Sequence, residues 1–393
     1  MVDLKAWLNK QRKEDGLRQL SPVSRLKNGR IFLLADPAGE CLDFSSNDYL
    51  ALSRHPALMT AAREALERYG TGAGAARLMS GDLAVHHELE EAAAQLKGQE
   101  AALVFGSGYM ANTGIIPALV GRHDVIFSDR LNHASIYDGC RLSGARLIRF
   151  RHNDPQHLES LLASERGSGT ALIVAESIYS MDGDRCPLPE LVRLKERHRC
   201  LLMVDEAHAT GVFGETGGGI IEEEGMSGGV DLAVGTFGKA LGSYGAFVAA
   251  RREMIEYLVN RARSFIFSTA LPPAVAAASL AAVHLVRQQP ELRRELWEKV
   301  ALFKSLLRQG GLGRDTGPSQ IIPIVVGSSH RAMAMALELR KQGLYATAVR
   351  PPTVPPGTAR LRFSVSRGHS AADLARAAEA ILDVLRGREK EKN

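Results

Sequence analysis

Short apolar runs alternate with amphipathic stretches between residues 101 and 250, and nothing else in the sequence restricts the fold as much. Residues 101–105, 125–128, 146–150, 171–176, 201–205, 232–235 and 246–249 read as strands. Segments such as 156–166 and 188–198 have the spacing of helices with one buried stripe. Strands that are apolar along their whole length are buried on both faces, which requires helices above and below a mostly parallel sheet. The expected architecture is α/β, with a seven-stranded, mostly parallel sheet in a large domain. Ligands of such sheets collect beyond the carboxyl ends of the strands.

After Pro272 and Pro273 the pattern changes to long helices at 274–288 and 291–308. A strand at 321–326, a helix at 331–342, strands near 345–349 and 361–365, and a last helix from Ala371 suggest a smaller α+β domain. The four prolines within 350–356 predict an ordered, extended loop. The expected division is an N-terminal helix and arm over 1–45, a large domain over 46–275 and a small domain over 276–393. Leu4, Trp7 and Leu8 would form the apolar stripe of that first helix.

Composition excludes several classes. Four scattered cysteines without a CxxC pair argue against a disulfide framework or a zinc site, so no metal is expected. The charged first segment lacks the apolar core of a signal peptide, and no apolar run is long enough to cross a bilayer; the expected location is cytoplasmic. A net charge of +5 over 393 residues does not call for nucleic acid.

Candidate chemistry falls just after the apolar runs. In VDEAHATG, Asp205 and His208 follow a strand, where a carboxylate can grip a cationic ring nitrogen; an ordinary strand-end acid and a surface histidine would look the same. In GTFGKALGSYGAF, Lys239 sits in a glycine-rich turn. A Walker A loop would need Gly at the place of Ala233 and a hydroxyl residue at the place of Ala240, so that alternative fails. A surface lysine is the other alternative. Against it stand the apolar strand before Lys239 and the small residues around it, which leave room for a planar ligand. A lysine stripped of water there becomes nucleophilic. Thr236 and Ser243 offer hydroxyls for a phosphate. FGSGYMANTG places Gly106 and Gly108 before a helix, where backbone N–H groups attract anions, though it is not a dinucleotide fingerprint. DRLNHASIYDG presents His133, and AESIYSMDGD presents Glu176 and Ser180, at the same expected edge. RPPTVPPGTARLRFS carries Arg350, Arg360 and Arg362, candidate carboxylate partners of which at least one is expected to be merely solvated.

In this order, SSNDYLALS, GTGAGAARLMSG, DEAHATGVFGE, GTFGKALGSYGAFV and RPPTVPPGTARLR resemble the α-oxoamine synthases, a group of fold-type I enzymes that use pyridoxal 5′-phosphate (PLP). The resemblance runs nearly the whole length of the chain. It implies that Lys239 forms a Schiff base with PLP, that Asp205 pairs with its pyridinium nitrogen, and that His133 stacks on its ring. His208 and Ser180 would face the phenolic oxygen, while Gly108, Tyr109 and Thr236 would help hold the phosphate. Ser268 and Thr269, in FSTALPP, would act across a homodimer on the partner's phosphate. Arg18, Asn47, His133, Thr353 and Arg362 match substrate-contacting positions; the roles of Arg77 and Arg350 stay open. The segments RPPTVPPGTARLR and SYGAF point to the biotin-pathway branch, whose substrates would be L-alanine and a pimeloyl thioester on CoA or acyl-carrier protein. Glycine with acetyl-CoA or succinyl-CoA is the alternative within the same fold, and a non-catalytic nucleotide-binding protein is the alternative outside it.

Overall fold

In the computed structural model, which describes residues 2–13, 16–34, 36–312 and 317–390, the expected apolar runs pair into one seven-stranded sheet. From one edge its strands are Ala101–Phe105, Ala246–Ala250, Leu232–Thr236, Leu201–Asp205, Ala171–Glu176, Val125–Asp129 and Arg146–Phe150. Only Ala246–Ala250 runs against its neighbours, so the other six strands end at one edge. Every residue of Ala171–Glu176 is buried, as are those of Ala246–Ala250, which is why their sequences lack the alternation of a half-exposed strand. A fully buried Val or Leu contributes about 1.5–3 kcal/mol, so the tight central strands make that edge a rigid base for side chains.

Helix starts are written locally. Ser107 accepts the Met110 N–H at the head of Gly108–Leu119, and Asp154 accepts the His157 N–H at the head of Pro155–Glu165. Proline occupies the first helical turn of Pro155–Glu165 and Pro273–Gln288, where no N–H is needed.

Two compact units result. One comprises Leu50–Ser180 and Asp184–Arg294, and holds the seven-stranded sheet. The other comprises Met1–Tyr49, Met181–Gly183 and Glu295–Asn393. It contains a four-stranded sheet in the order Val23–Arg25, Arg30–Leu33, Glu40–Asp43, Leu344–Tyr345, and a three-stranded antiparallel sheet in the order Ile321–Gly327, Ala359–Ser364, Thr347–Val349. The expected boundaries at 45/46 and 275/276 are therefore corrected. Pro273 does not open a new domain. It starts a helix that packs on Pro56–Tyr69 and Ala84–Lys97 within the large unit. The first 49 residues belong with the C-terminal segment, because Glu40–Asp43 pairs in parallel with Leu344–Tyr345. Among the described residues no helix is long and apolar enough to cross a membrane.

Candidate active site

The carboxyl edge of the large sheet gathers side chains that lie far apart in sequence. Leu201–Asp205 and Leu232–Thr236 are adjacent parallel strands, so the turns after them meet. Lys239 Nζ consequently lies 2.7 Å from His208 Nε2. The Lys239 turn needs Gly242: its φ is +64°, and a Cβ there would lie 2.4 Å from the Ser53 backbone nitrogen.

Asp205 is buried at the strand end. Its Oδ2 accepts a hydrogen bond from Asn112 Nδ2 at 2.9 Å and its Oδ1 accepts the Ala207 N–H at 2.9 Å. Asn112 also donates to Ser135 Oγ at 2.9 Å, and Ser135 Oγ lies 2.8 Å from His133 Nδ1. One chain of hydrogen bonds thus runs from Asp205 through Asn112 and Ser135 to His133. Neither link stood out in the sequence. His133 Nδ1 also receives the Ser135 N–H, so the ring's remaining proton belongs on Nε2. Burial lowers the His133 pKa, Asp205 raises it and Lys239 lowers it further, which keeps the ring neutral.

Glu176 stands directly beside Asp205 in the sheet register, and it accepts the His133 N–H. Burial, then the Asp205 charge, push its pKa up to about 8. Its surroundings thus favour the protonated acid over the carboxylate. Ser180 follows it on the 177–186 turn, which is closed by the Cys186 N–H to Ser177 O bond at 3.1 Å.

Gly108 and Tyr109 open the helix Gly108–Leu119 at the same edge, and the space beside Gly108 is clear for 4 Å around a built Cβ. The Tyr109 hydroxyl donates to Asp138. Thr236 Oγ1 donates to Gly245 O at 2.9 Å and accepts the Gly238 N–H at 3.1 Å. Ser243 is engaged elsewhere: its Oγ donates to Val275 O at 3.3 Å and accepts from Ser279 at 2.9 Å, so it is not a phosphate donor in this arrangement. Ser268 and Thr269 line a small cavity with Gly106, Arg77 and Phe265. The Arg77 guanidinium is held by both Glu90 oxygens, at 2.8 and 2.9 Å, and by Asp82.

The smaller unit brings the other candidates together in two pairs. Arg362 is buried, and donates to Asn47 Oδ1 at 3.1 Å, the Tyr49 hydroxyl at 3.2 Å and Ser364 Oγ at 2.8 Å. Arg18 donates to Thr353 Oγ1 at 3.1 Å. Arg350 donates to Leu17 O at 2.7 Å, and Arg360 is ion-paired with Asp182.

The large-unit edge fits a cationic ring on a phosphate tail. It offers a buried carboxylate, a helix N-terminus with open space, and a lysine amine beside an imidazole. Asn112 Oδ1 is also buried there with no hydrogen-bond partner among the described residues. Residues 39–381 match the model of the aminotransferase class I and II family. The chain is 52% identical over 375 residues to 8-amino-7-oxononanoate synthase of Geobacter sulfurreducens, covering 94% of this chain and 95% of that protein. It is 53% identical to the protein of the same name from Geotalea daltonii, covering 94% of each. Among solved structures it is similar to a serine palmitoyltransferase variant from S. paucimobilis with a bound PLP–myriocin adduct (TM-score 0.93, 30% identity, 99% of this chain and 100% of that one). It is also similar to 8-amino-7-oxononanoate synthase from Francisella tularensis (TM-score 0.77, 29% identity, 89% of this chain and 99% of that one). Matched to these proteins over nearly its full length, and carrying a lysine, a buried carboxylate and a helix N-terminus at one sheet edge, the chain belongs to the aminotransferase class I and II family of PLP enzymes, in its branch of 8-amino-7-oxononanoate synthases.

Proposed function

We propose that this PLP-dependent acyltransferase condenses L-alanine with a pimeloyl thioester, releasing CO2 and the free thiol and leaving 8-amino-7-oxononanoate. The observation that carries this reading over its neighbours is sequence identity. Relatives of that name reach 52–53% over most of the chain, against 30% for the serine palmitoyltransferase that superposes more closely.

The cofactor supplies an electron sink for charge that develops at the amino acid's Cα. This chain supplies the rest. Lys239 Nζ would anchor the cofactor, and its amine is placed to take the Cα proton and return one. His208 Nε2, 2.7 Å away, orients that amine. Asp205 holds the proton on the ring nitrogen. Its two donors, Asn112 and Ala207, leave lone pairs over to accept from that N–H. Glu176 stays protonated beside it, so the strand ends carry one negative charge rather than two. His133 would cover the ring as a neutral imidazole, and Ser180 and His208 would face its oxygen substituent. The N–H groups of Gly108 and Tyr109 take the phosphate, with Thr236 shaping the turn. Arg362, held by Asn47, Tyr49 and Ser364, supplies the positive charge for a substrate carboxylate, and Arg18 with Thr353 holds the acyl substrate. We further propose a homodimer in which Ser268 and Thr269 complete the partner's phosphate site.

The test supplies purified, PLP-loaded protein with L-alanine labelled at its carboxyl carbon and with pimeloyl-CoA or pimeloyl acyl-carrier protein. Labelled CO2 and a product of the expected mass should appear together. Turnover of glycine with acetyl-CoA or succinyl-CoA, but none with alanine, would overturn the assignment.

A further inference from the structure

His152 belongs to no motif in the sequence and to no step above, yet both of its ring nitrogens are committed. Nδ1 lies 2.9 Å from Asp129 Oδ1 and Nε2 lies 2.6 Å from Asp184 Oδ2. The next residue repeats the span. The Asn153 N–H donates to Asp129 Oδ2 at 2.9 Å, and its amide donates to Asp184 Oδ2 at 2.8 Å and Arg185 O at 3.1 Å. The Tyr179 ring packs edge-on against the imidazole, centroid to centroid 4.4 Å.

The two carboxylates stand on the two loops that matter. Asp129 ends its strand and shapes the turn that follows: its Oδ1 accepts the Leu131 N–H at 2.8 Å and its backbone oxygen accepts the Asn132 N–H at 3.2 Å, just before His133. Asp184 closes the 177–186 turn, where its backbone oxygen accepts the Tyr179 N–H at 3.0 Å, just before Ser180.

We propose that His152 is a positioning residue, whose ring ties the Asp129 loop to the Asp184 turn and so fixes His133 and Ser180 on their two sides of the cofactor. Carboxylates only accept, so a ring bonded to two of them donates from both nitrogens and is cationic. The two aspartates outweigh burial and raise its pKa to about 9. Nearby, burial pushes Tyr179 well above its usual value, and Arg151 is turned to Asp154 at 2.8 Å. The clamp is therefore intact at neutral pH and opens as pH rises through about 9.

The inference rests on the proposed placement of His133 and Ser180 around PLP, and the experiment separates the two. PLP affinity of the full chain is measured by absorbance titration from pH 6 to 10. The variants are His152→Gln, which keeps hydrogen bonding without charge, and His152→Lys, which keeps charge. Hydrogen exchange of residues 130–133 and 177–186 in the PLP-loaded protein reports the loops directly. The parent should lose PLP affinity as pH passes about 9. His152→Gln should bind PLP roughly 10-fold more weakly at pH 7, show faster exchange in both loops and lack that alkaline step. His152→Lys should restore neutral affinity and move the step upward. Parent-like affinity and pH profile in His152→Gln, with His133→Ala and Ser180→Ala both weakened, would overturn the clamp alone. Undiminished PLP binding in His133→Ala and Ser180→Ala would overturn the placement on which it rests.

Discussion

Asp205 and Glu206 are consecutive at one strand end, point to opposite faces of the sheet and meet opposite fates. Glu206 is fully buried and paired with a charge: it accepts Lys97 Nζ at 2.7 Å and the Ile221 N–H at 3.1 Å. Lys97 spends its other two protons on Thr210 Oγ1 at 2.8 Å and Gly218 O at 2.5 Å. Only glycine fits at 219, where a Cβ would sit 2.5 Å from the Glu206 carboxylate. Asp205, by contrast, receives two neutral donors and stands beside a second acid, Glu176. A buried ion pair of this kind fixes a structure, whereas the face whose carboxylate has only neutral donors is free to pair with a cationic ligand.

The largest effect should come from the open face. Lys239→Ala is expected to cut kcat by at least about 10⁴-fold, the upper range for removing a positioned base. Lys239 is only partly buried, so urea unfolding should move by less than about 0.5 kcal/mol. Rapid-quench product formation and urea melts measure the two numbers. A large loss of stability with kcat preserved would reverse the proposed contrast between the faces.

Lys97→Met is the mirror experiment. It strands the Glu206 charge in the interior and should cost about 3–5 kcal/mol, while the folded fraction keeps its kcat. Lys97→Met with Glu206→Leu removes both charges and should regain most of that loss, because a buried pair is worth little beyond what each ion costs alone. Additive losses in the double variant, read from the same urea melts, would mean that the pair does not act as a unit.

The two faces were not equally legible. The open face lies in short, glycine-marked turns after apolar runs, so Asp205, His208 and Lys239 could be picked out from pattern and resemblance. The 2.7 Å contact of His208 with Lys239 needed the strand order, which no local pattern states. Asn112 and Ser135 were invisible because each is an ordinary polar residue whose meaning comes from a partner far along the chain: 93 residues separate Asn112 from Asp205. The Lys97–Glu206 pair, 109 residues apart, was missed for the same reason. Strands buried on both faces were found almost to the residue. Val23–Arg25, exposed throughout, carries no hydrophobic period and was not found. The proline pair at 272–273 misled about the domain boundary because proline marks a helix start as readily as a break.

The smallest effect sharpens the comparison most, because it turns on a single proton. Glu176 titrates near 8 in the fold, against 4.5 for a free side chain. A raised carboxyl pKa means that the fold prefers the protonated form. Its contribution to stability is complete below about pH 4.5 and is lost as pH rises toward and through 8. Glu176→Gln imitates the protonated acid: its carbonyl can accept the His133 N–H and its amide can donate in place of the acid proton. Without PLP, the variant should match the parent at pH 4.5 and exceed it by about 1–2 kcal/mol at pH 8, well below the nominal shift because water and neighbours relax around a buried charge. Urea melts at the two pH values decide it. Equal stability at both would mean that Glu176 is ionised beside Asp205, and that the open face carries two charges rather than one.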